Sequence, residues 1–313
     1  MNKRVGIIQV DGKLPNFALM QISRYHINNQ DSVEWYKGGL FLEEYDVIYA
    51  SKIFSFSDDS FVPDRAIKGG TGYDFSNRLP VEIAQCHPSY HLYPDFTAHI
   101  GFLSRGCRMN CKFCCVPLKE GRPYRVSEVD GLLLNPKGGK RLLLLDNDFF
   151  GDGQGIDHLT RINELGLKVC FTQGINIRTL TDPQAELLAQ TKFMNTSFKD
   201  RLVSFAFDRI RDAKAVIRGI ELCIKHGIKP YSMQFFILVG FDSTPEEDMQ
   251  RIEIVKNYGA KPFVMPYDRT DPYQQSLARW ANRRIHNVCS FNEYKKGVVG
   301  AVKSNTTQSF FNL

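Results

Sequence analysis

The sequence predicts an α/β protein, a partial (β/α)6 TIM-like barrel preceded by a small α/β domain. Two observations carry this prediction. From about His99 onward, short apolar runs alternate with amphipathic segments, which is the pattern of repeated βα units. The residues before that point show fewer elements and a different spacing. We therefore expect one parallel-strand unit of modest size followed by a larger one.

Six apolar runs in the larger part are predicted strands, over 99–103, 141–145, 168–171, 202–207, 233–239 and 262–265. Because connections between parallel strands are right-handed, consecutive βα units form a parallel sheet that stays open or curls into a partial barrel. Ligands of such sheets bind at the carboxyl ends of the strands.

Two predicted helices begin at explicit caps. Asp182 precedes Pro183, and Thr244 precedes Pro245 with Glu247 at the capping-box position. An acceptor side chain at the cap and a proline in the first turn both favour a helix start. These caps support the alternation of strands and helices independently of hydrophobicity.

The smaller part has predicted strands over 5–10 and 46–50 and an amphipathic helix over 17–27. A segment rich in glycine and proline, 63–94, is predicted as an irregular linker that packs over the sheet.

These patterns predict a degenerate Rossmann-like domain over 1–85, the barrel over 86–290 and a C-terminal extension over 291–313.

Composition narrows the class of protein. The chain has 313 residues, of which 43% are hydrophobic, and its formal net charge is +6. No apolar stretch approaches the roughly 20 residues of a membrane-spanning helix, so we expect a cytoplasmic protein without membrane contact. The mild basicity is compatible with a nucleic acid or nucleoside as substrate or partner, although the basic residues are scattered.

Four cysteines crowd into one short segment: Cys107, Cys111, Cys114 and Cys115. Soft thiolates at this spacing favour an iron–sulfur cluster or zinc. Three thiolates can hold three irons of a four-iron cluster and leave the fourth open. Three alternatives remain: a zinc site that recruits Cys115 as fourth ligand, an electron-transfer cluster, and chemically inert thiols.

The Cys-x3-Cys-x2-Cys spacing, with Phe113 before the third cysteine and six βα units around it, resembles the radical S-adenosylmethionine superfamily over about 97–290. The resemblance implies a 4Fe-4S cluster on Cys107, Cys111 and Cys114, with Phe113 against the adenine of S-adenosylmethionine. It further implies reductive cleavage to a 5′-deoxyadenosyl radical, hydrogen abstraction from the substrate, and a flavodoxin- or ferredoxin-like electron donor.

The same resemblance assigns other residues at strand ends. The expected cosubstrate contacts are Asp146, Asn147, Asp148, Gln173, Asn176, Arg178 and Gly240. The expected substrate contacts are Asp208, Tyr267 and Arg269. The family's Gly-Gly-Glu-like run is replaced here by the acidic residues that follow the second barrel strand. Arg178 is the expected partner of the methionine carboxylate, with a surface salt bridge as the alternative.

The N-terminal domain resembles that of cobalamin-binding members of the superfamily. Cobalamin is not expected, because the segment 11–15 after the first strand has no histidine at the matching position. Sulfur insertion is disfavoured because Cys86 is the single cysteine before Cys107. An auxiliary cluster on the later cysteines stays open.

Two other classes of function compete with the radical enzyme. One is a metal-stabilised nucleic-acid-binding module without catalysis, which would use the basic residues around 137–141. The other is a catalytically silent relative that keeps the cluster for structure or electron transfer.

Overall fold

A computed structural model of the chain describes residues 2–38 and 44–295. Its strands are β1 Arg4–Gln9, β2 Ser32–Trp35, β3 Val47–Ser51, β4 Ile67–Gly69, β5 His99–Gly101, β6 Ser104–Arg105, β7 Tyr124–Arg125, β8 Arg141–Leu144, β9 Lys168–Phe171, β10 Lys192–Phe193, β11 Val203–Ala206, β12 Met233–Val239 and β13 Lys261–Pro266. Its helices are α1 Phe17–Asn28, α2 Val81–Ala84, α3 Val116–Lys119, α4 Gly155–Glu164, α5 Asp182–Gln190, α6 Ala213–Lys225, α7 Pro245–Asn257, α8 Pro272–Asn282 and α9 Phe291–Lys295. The predicted C-terminal extension lies outside the described residues from position 296 onward.

The N-terminal part forms a four-stranded parallel sheet in the order β2-β1-β3-β4. The predicted strands at 5–10 and 46–50 and the helix at 17–27 are confirmed as β1, β3 and α1. The short β2 was missed. The prediction of an irregular segment over 63–94 is wrong in part, because β4 completes the sheet and α2 packs against α1.

The six strands predicted in the larger part are confirmed as β5, β8, β9, β11, β12 and β13. Together with the short β10, which was not predicted, they form two parallel sheets, β10-β9-β8-β5 and β11-β12-β13. In the part of the chain that the structure describes, one isolated parallel bridge, between Ile175 and Phe205, links the two sheets. The predicted α/β class is therefore confirmed, and the carboxyl ends of these strands face one side of the molecule.

Alternating side chains place β5, β8 and β9 between two cores. Leu142, Leu144 and Val169 face the large core that contains Trp280 of α8. Leu143 and Cys170 face the other way and pack against Met20 of α1. Because strand neighbours point to opposite faces, a continuous apolar run is what a strand buried on both sides requires. The N-terminal part therefore covers one face of the β10-β9-β8-β5 sheet.

The helix starts differ slightly from prediction. Thr244 caps α7 and forms the predicted capping box with Glu247. The cap of α5 is Thr181, one residue before the predicted Asp182, and Gln184 completes its capping box. Within the described residues, no helix combines the length and apolar character that crossing a bilayer requires.

Candidate active site

The cysteine segment is an excursion from the carboxyl end of β5. It leaves through β6, turns at Gly106, passes through α3 and returns as β7, which pairs antiparallel with β6. Gly106 has φ +83, and a Cβ there would collide with the Arg122 carbonyl. A glycine is therefore required where the loop begins. The Cys107 N–H donates to the Gly121 carbonyl at 3.1 Å and closes the base of the excursion.

All four thiols of the loop are partly exposed. Burial raises the pKa of Cys107, and it raises the pKa of Cys114 to about 11, an effect that the neighbouring thiols reinforce. The Met109 N–H donates to Cys107 Sγ, and the Val116 N–H donates to Cys114 Sγ, each at 3.4 Å. Partial burial and one backbone N–H donor are thus common to both thiols.

The described residues contain no group of three or more histidine, cysteine, aspartate or glutamate side chains that could hold a metal ion. The predicted ligands Cys107, Cys111 and Cys114 share one loop without forming such a group. The donor set of the described residues therefore does not fit a four-iron cluster.

Asp146, which follows β8, binds the start of the loop. Its carboxylate accepts the Leu103 N–H at 3.2 Å, the Ser104 N–H at 2.6 Å and the Ser104 hydroxyl at 2.9 Å. Burial raises the pKa of Asp146 to about 6, although these three donors act in the opposite direction. The structure thus places this predicted cosubstrate residue under the loop, with 4% of its surface exposed.

Glu120 binds the next two loop residues from the other side. Its carboxylate accepts the Gly106 N–H at 2.9 Å and pairs with the Arg105 guanidinium at 2.6 Å. The Asn147 side-chain amide, predicted to contact the cosubstrate, also donates to Glu120, at 2.8 Å. Glu120 was missed in the sequence, where it stands as one acid among the basic residues that follow the cysteines.

Asp148 is the third carboxylate that binds the cysteine loop. It accepts the Arg108 N–H at 3.0 Å and two guanidinium nitrogens of Arg108, at 2.7 and 2.8 Å. This two-point pair is buried on the Asp148 side, and the hydrogen bonds raise the pKa of Arg108. Arg108 also reaches the Thr179 hydroxyl at 3.2 Å. The acidic run after β8 therefore anchors the cysteine loop.

The predicted residues after β9 also have partners within the chain. The Arg178 guanidinium pairs with Asp212 at 2.8 Å and donates to the Asn176 side-chain oxygen at 3.0 Å. Gln173 donates to the Thr172 hydroxyl at 3.4 Å. Arg178 thus makes a salt bridge within the chain, and both of its partners are mostly buried rather than at the surface.

Asp208 follows β11, is partly exposed, and lies beside Arg251 of α7. It accepts the Leu238 N–H at 3.2 Å, and burial raises the pKa of its carboxyl. Arg251 is fully buried, pairs with Asp248, and donates to the carbonyls of Phe207, Asp208 and Leu238. This arginine was missed in the sequence because a helical position gives no sign that its side chain reaches two strand ends.

Aromatic rings line the strand ends beside the cysteine loop. The Phe113 ring lies 5.5 Å from that of Phe241, which lies 4.8 Å from that of Tyr267. Arg269 lies 3.9 Å over the ring of Phe56, a residue of the N-terminal part. The structure therefore joins the predicted residues Phe113 and Tyr267 through Phe241, while the predicted Arg269 packs on Phe56.

Gly240 follows β12 with φ +78, and a Cβ at this position would collide with the side chain of Gln274. That side chain accepts the Asp268 N–H at 2.9 Å, so the glycine allows a helix residue to approach the turn. A cavity of about 260 Å³ opens beside the loop and is lined in part by Cys107, Arg108 and Arg122. This is the space next to the cysteines that a small ligand can enter.

No protein-family profile matches the chain. A protein of Pyrococcus horikoshii named as an uncharacterized methyltransferase is 25% identical to it over 214 residues. The aligned region covers 61% of this chain, and the chain spans less than half of the relative, 46% of its length.

This finding contradicts the assignment to the radical S-adenosylmethionine superfamily and the predicted hydrogen abstraction, since the relative is named for methyl transfer. The alternative of a noncatalytic nucleic-acid-binding module is contradicted on the same ground. The expected iron–sulfur site is also corrected, because the described residues hold no metal-binding group. The expected partners, an electron donor and a nucleic acid or nucleoside, stay predictions.

Proposed function

We propose that the chain is a methyltransferase that takes its methyl group from S-adenosylmethionine. The observation that carries the proposal is the similarity over 214 residues to a protein named as a methyltransferase. The ordered loop and cavity at the strand ends support it, because parallel α/β sheets bind ligands at that edge. In the reaction the acceptor's electron pair forms a bond to the methyl carbon, while the electron pair of the broken bond stays on sulfur and gives S-adenosylhomocysteine.

We also propose that the two sheets of the larger part together form the partial (β/α)6 barrel expected from the sequence. The parallel bridge between Ile175 and Phe205 supports this arrangement. The cosubstrate then lies over the carboxyl ends of β8, β9 and β12, in contact with the cysteine loop.

The chain's own residues would position the cosubstrate and exclude water. Phe113 and Phe241 offer an edge-to-face pair of rings against which an adenine can pack. The sulfonium end would enter the 260 Å³ cavity beside Cys107 and Arg108. Asp146, Glu120 and Asp148 would hold that wall in place through loop residues 103–108. A fixed wall matters because methyl transfer needs the donor and the acceptor aligned at near-contact distance.

The proposal is tested by incubating the protein with S-adenosylmethionine labelled in the methyl group, and by identifying the adenosyl product by mass spectrometry. We expect binding of S-adenosylmethionine, and S-adenosylhomocysteine as the product when an acceptor is present. Release of 5′-deoxyadenosine in place of S-adenosylhomocysteine, or no binding, would contradict the proposal.

A pair of aromatic variants tests the location. Phe241→Ala should weaken S-adenosylmethionine binding about fivefold, the usual value of one lost aromatic contact. The matched control is Tyr231→Ala, since Tyr231 is 66% exposed and precedes β12 at the opposite edge of the sheet. If the two variants bind S-adenosylmethionine with equal affinity in equilibrium dialysis, the cosubstrate does not contact these aromatic rings.

A further inference from the structure

A second cleft lies between the N-terminal part and the larger part, and it shares no lining residue with the cavity beside Cys107. It measures about 510 Å³, and its walls include residues of α1, α2 and the segment just after α2. That volume falls in the range typical of small-ligand pockets, about 300–1,000 Å³. The cleft is therefore large enough for a metabolite-sized molecule.

Arg24 of α1 lines the cleft and has an unsatisfied buried donor. Its Nε is buried and has no hydrogen-bond partner among the described residues. Those residues also supply no acidic partner within ion-pair distance of its guanidinium. A partly buried cation in that state is costly unless a ligand completes its hydrogen bonds.

The chemistry of the other walls defines the ligand. Gln85, Cys86 and His87, which carry an amide, a thiol and an imidazole, also line the cleft. A guanidinium fork binds the paired oxygens of a carboxylate or phosphate in a two-point contact, and neutral donors complete the contacts. We propose that this cleft binds a small anion, with its carboxylate or phosphate group held by Arg24.

Glu82 is the one acidic side chain among the residues that line the cleft, and it limits where the anion can lie. Like charges repel, so the ligand's anionic group belongs on the α1 wall with Arg24 and away from α2. Neutralising Glu82 should therefore strengthen binding, whereas neutralising Arg24 should weaken it. The two variants give opposite signs, which a general loss of structure cannot produce.

Alkylation of Cys86 provides a local measurement of occupancy. The Cys86 thiol is partly exposed and lines the cleft, while Cys289 is partly exposed and lies outside it. The rates at which iodoacetamide alkylates Cys86 and Cys289 are measured by peptide mass spectrometry, with inorganic phosphate or succinate as the probe ligand. At about ten times the Kd of the probe, Cys86 alkylation should slow about tenfold while Cys289 is unchanged.

Four variants decide the proposal. Arg24→Gln should weaken protection about tenfold, Arg24→Lys less, and Glu82→Gln should strengthen it about twofold. The matched control is Arg65→Gln, because Arg65 is exposed on the N-terminal part and does not line the cleft. Protection by phosphate alone identifies a phosphate ligand, and protection by succinate alone a carboxylate. Absence of protection by both probes, or equal protection in Arg24→Gln, would overturn the proposal.

Discussion

The two parallel-strand units of the molecule end differently at their carboxyl edges. In the N-terminal sheet, Asp11 after β1 accepts hydrogen bonds from Ile53 and Phe54 after β3, at 2.8 Å each, and from the Ser57 hydroxyl. Gln9 donates to three carbonyls of the turn that follows β1. In the larger unit, the corresponding edge carries the cysteine loop, a cavity and aromatic rings that include the exposed Tyr267.

The two strand edges differ in what the aspartates that follow the strands bind. In the N-terminal sheet, a carboxylate links the two central strands directly and occupies the crevice between them. In the larger unit, Asp146 and Asp148 bind a loop, and the loop then leaves a cavity beside it. Aspartate therefore fills the strand edge of the N-terminal sheet but leaves a cavity at the edge of the larger unit, because its hydrogen-bond partners differ.

The largest expected effect is a loss of stability when the buried Arg251, at the strand ends of the larger unit, is replaced. Arg251→Met should lower the free energy of unfolding by about 4 kcal/mol, because Asp248 would keep a buried charge and three carbonyls would lose their donor. Urea unfolding measures this loss. Arg211→Met, at an exposed position near the same strand end, should change stability by less than about 0.5 kcal/mol. Similar losses of unfolding free energy in both variants would show that the buried contacts of Arg251 add no more stability than an exposed arginine does.

The next effect is a pH dependence specific to the larger edge. Burial raises the pKa of Asp146 from 3.8 to about 6, so the folded state binds this proton more tightly than the unfolded state. Stability should therefore fall as pH rises between these two values, and the full penalty, about 3 kcal/mol, should remain above the folded-state pKa.

Asp146→Asn removes that titration. Between about pH 4 and about pH 7, the wild-type protein should lose about 2.5 kcal/mol more unfolding free energy than the variant does. Every other group titrates in both proteins, so the difference between the two slopes isolates Asp146. Parallel slopes would mean that the three donors to Asp146 cancel the effect of burial.

The smallest effect separates the two edges most directly. Asp148→Asn should cost about 2 kcal/mol of stability and speed the alkylation of Cys107 severalfold, because Arg108 would lose its ionic anchor. Asp11→Asn should cost about 1 kcal/mol and leave Cys107 alkylation unchanged. Unfolding curves and thiol mass spectrometry measure both results. If Asp11→Asn also speeds the alkylation, the two edges are coupled and the comparison fails.

Local patterns in the sequence predicted most of the elements. The apolar runs at 141–145 and 233–239 became β8 and β12, because strands buried on both faces need unbroken hydrophobic residues. The capping box at Thr244 and Glu247 was predictable since both residues lie within one helical turn. The short strands β2 and β4 were not, because three or four residues carry too little periodicity to distinguish a strand from a loop.

The candidate site was predicted only in position. Its location at the strand ends followed from the order of the elements, and Phe113 and Tyr267 do lie on one aromatic surface. The roles of the acidic residues could not be predicted. Asp146 and Asp148 were expected to face a cosubstrate, whereas each is engaged by loop residues 40 or more positions away.

The sequence by itself determined the α/β class, the six larger-unit strands and the concentration of thiols in one loop, because each depends on residues close together in the chain. The tertiary structure alone decided which carboxylates anchor that loop, that Arg178 pairs with Asp212, and that the Nε of Arg24 finds no hydrogen-bond partner among the described residues beside a cleft. Those outcomes depend on which strands and helices become neighbours. A charged side chain takes the partner that packing brings within about 3 Å, and that choice is not encoded in its own segment.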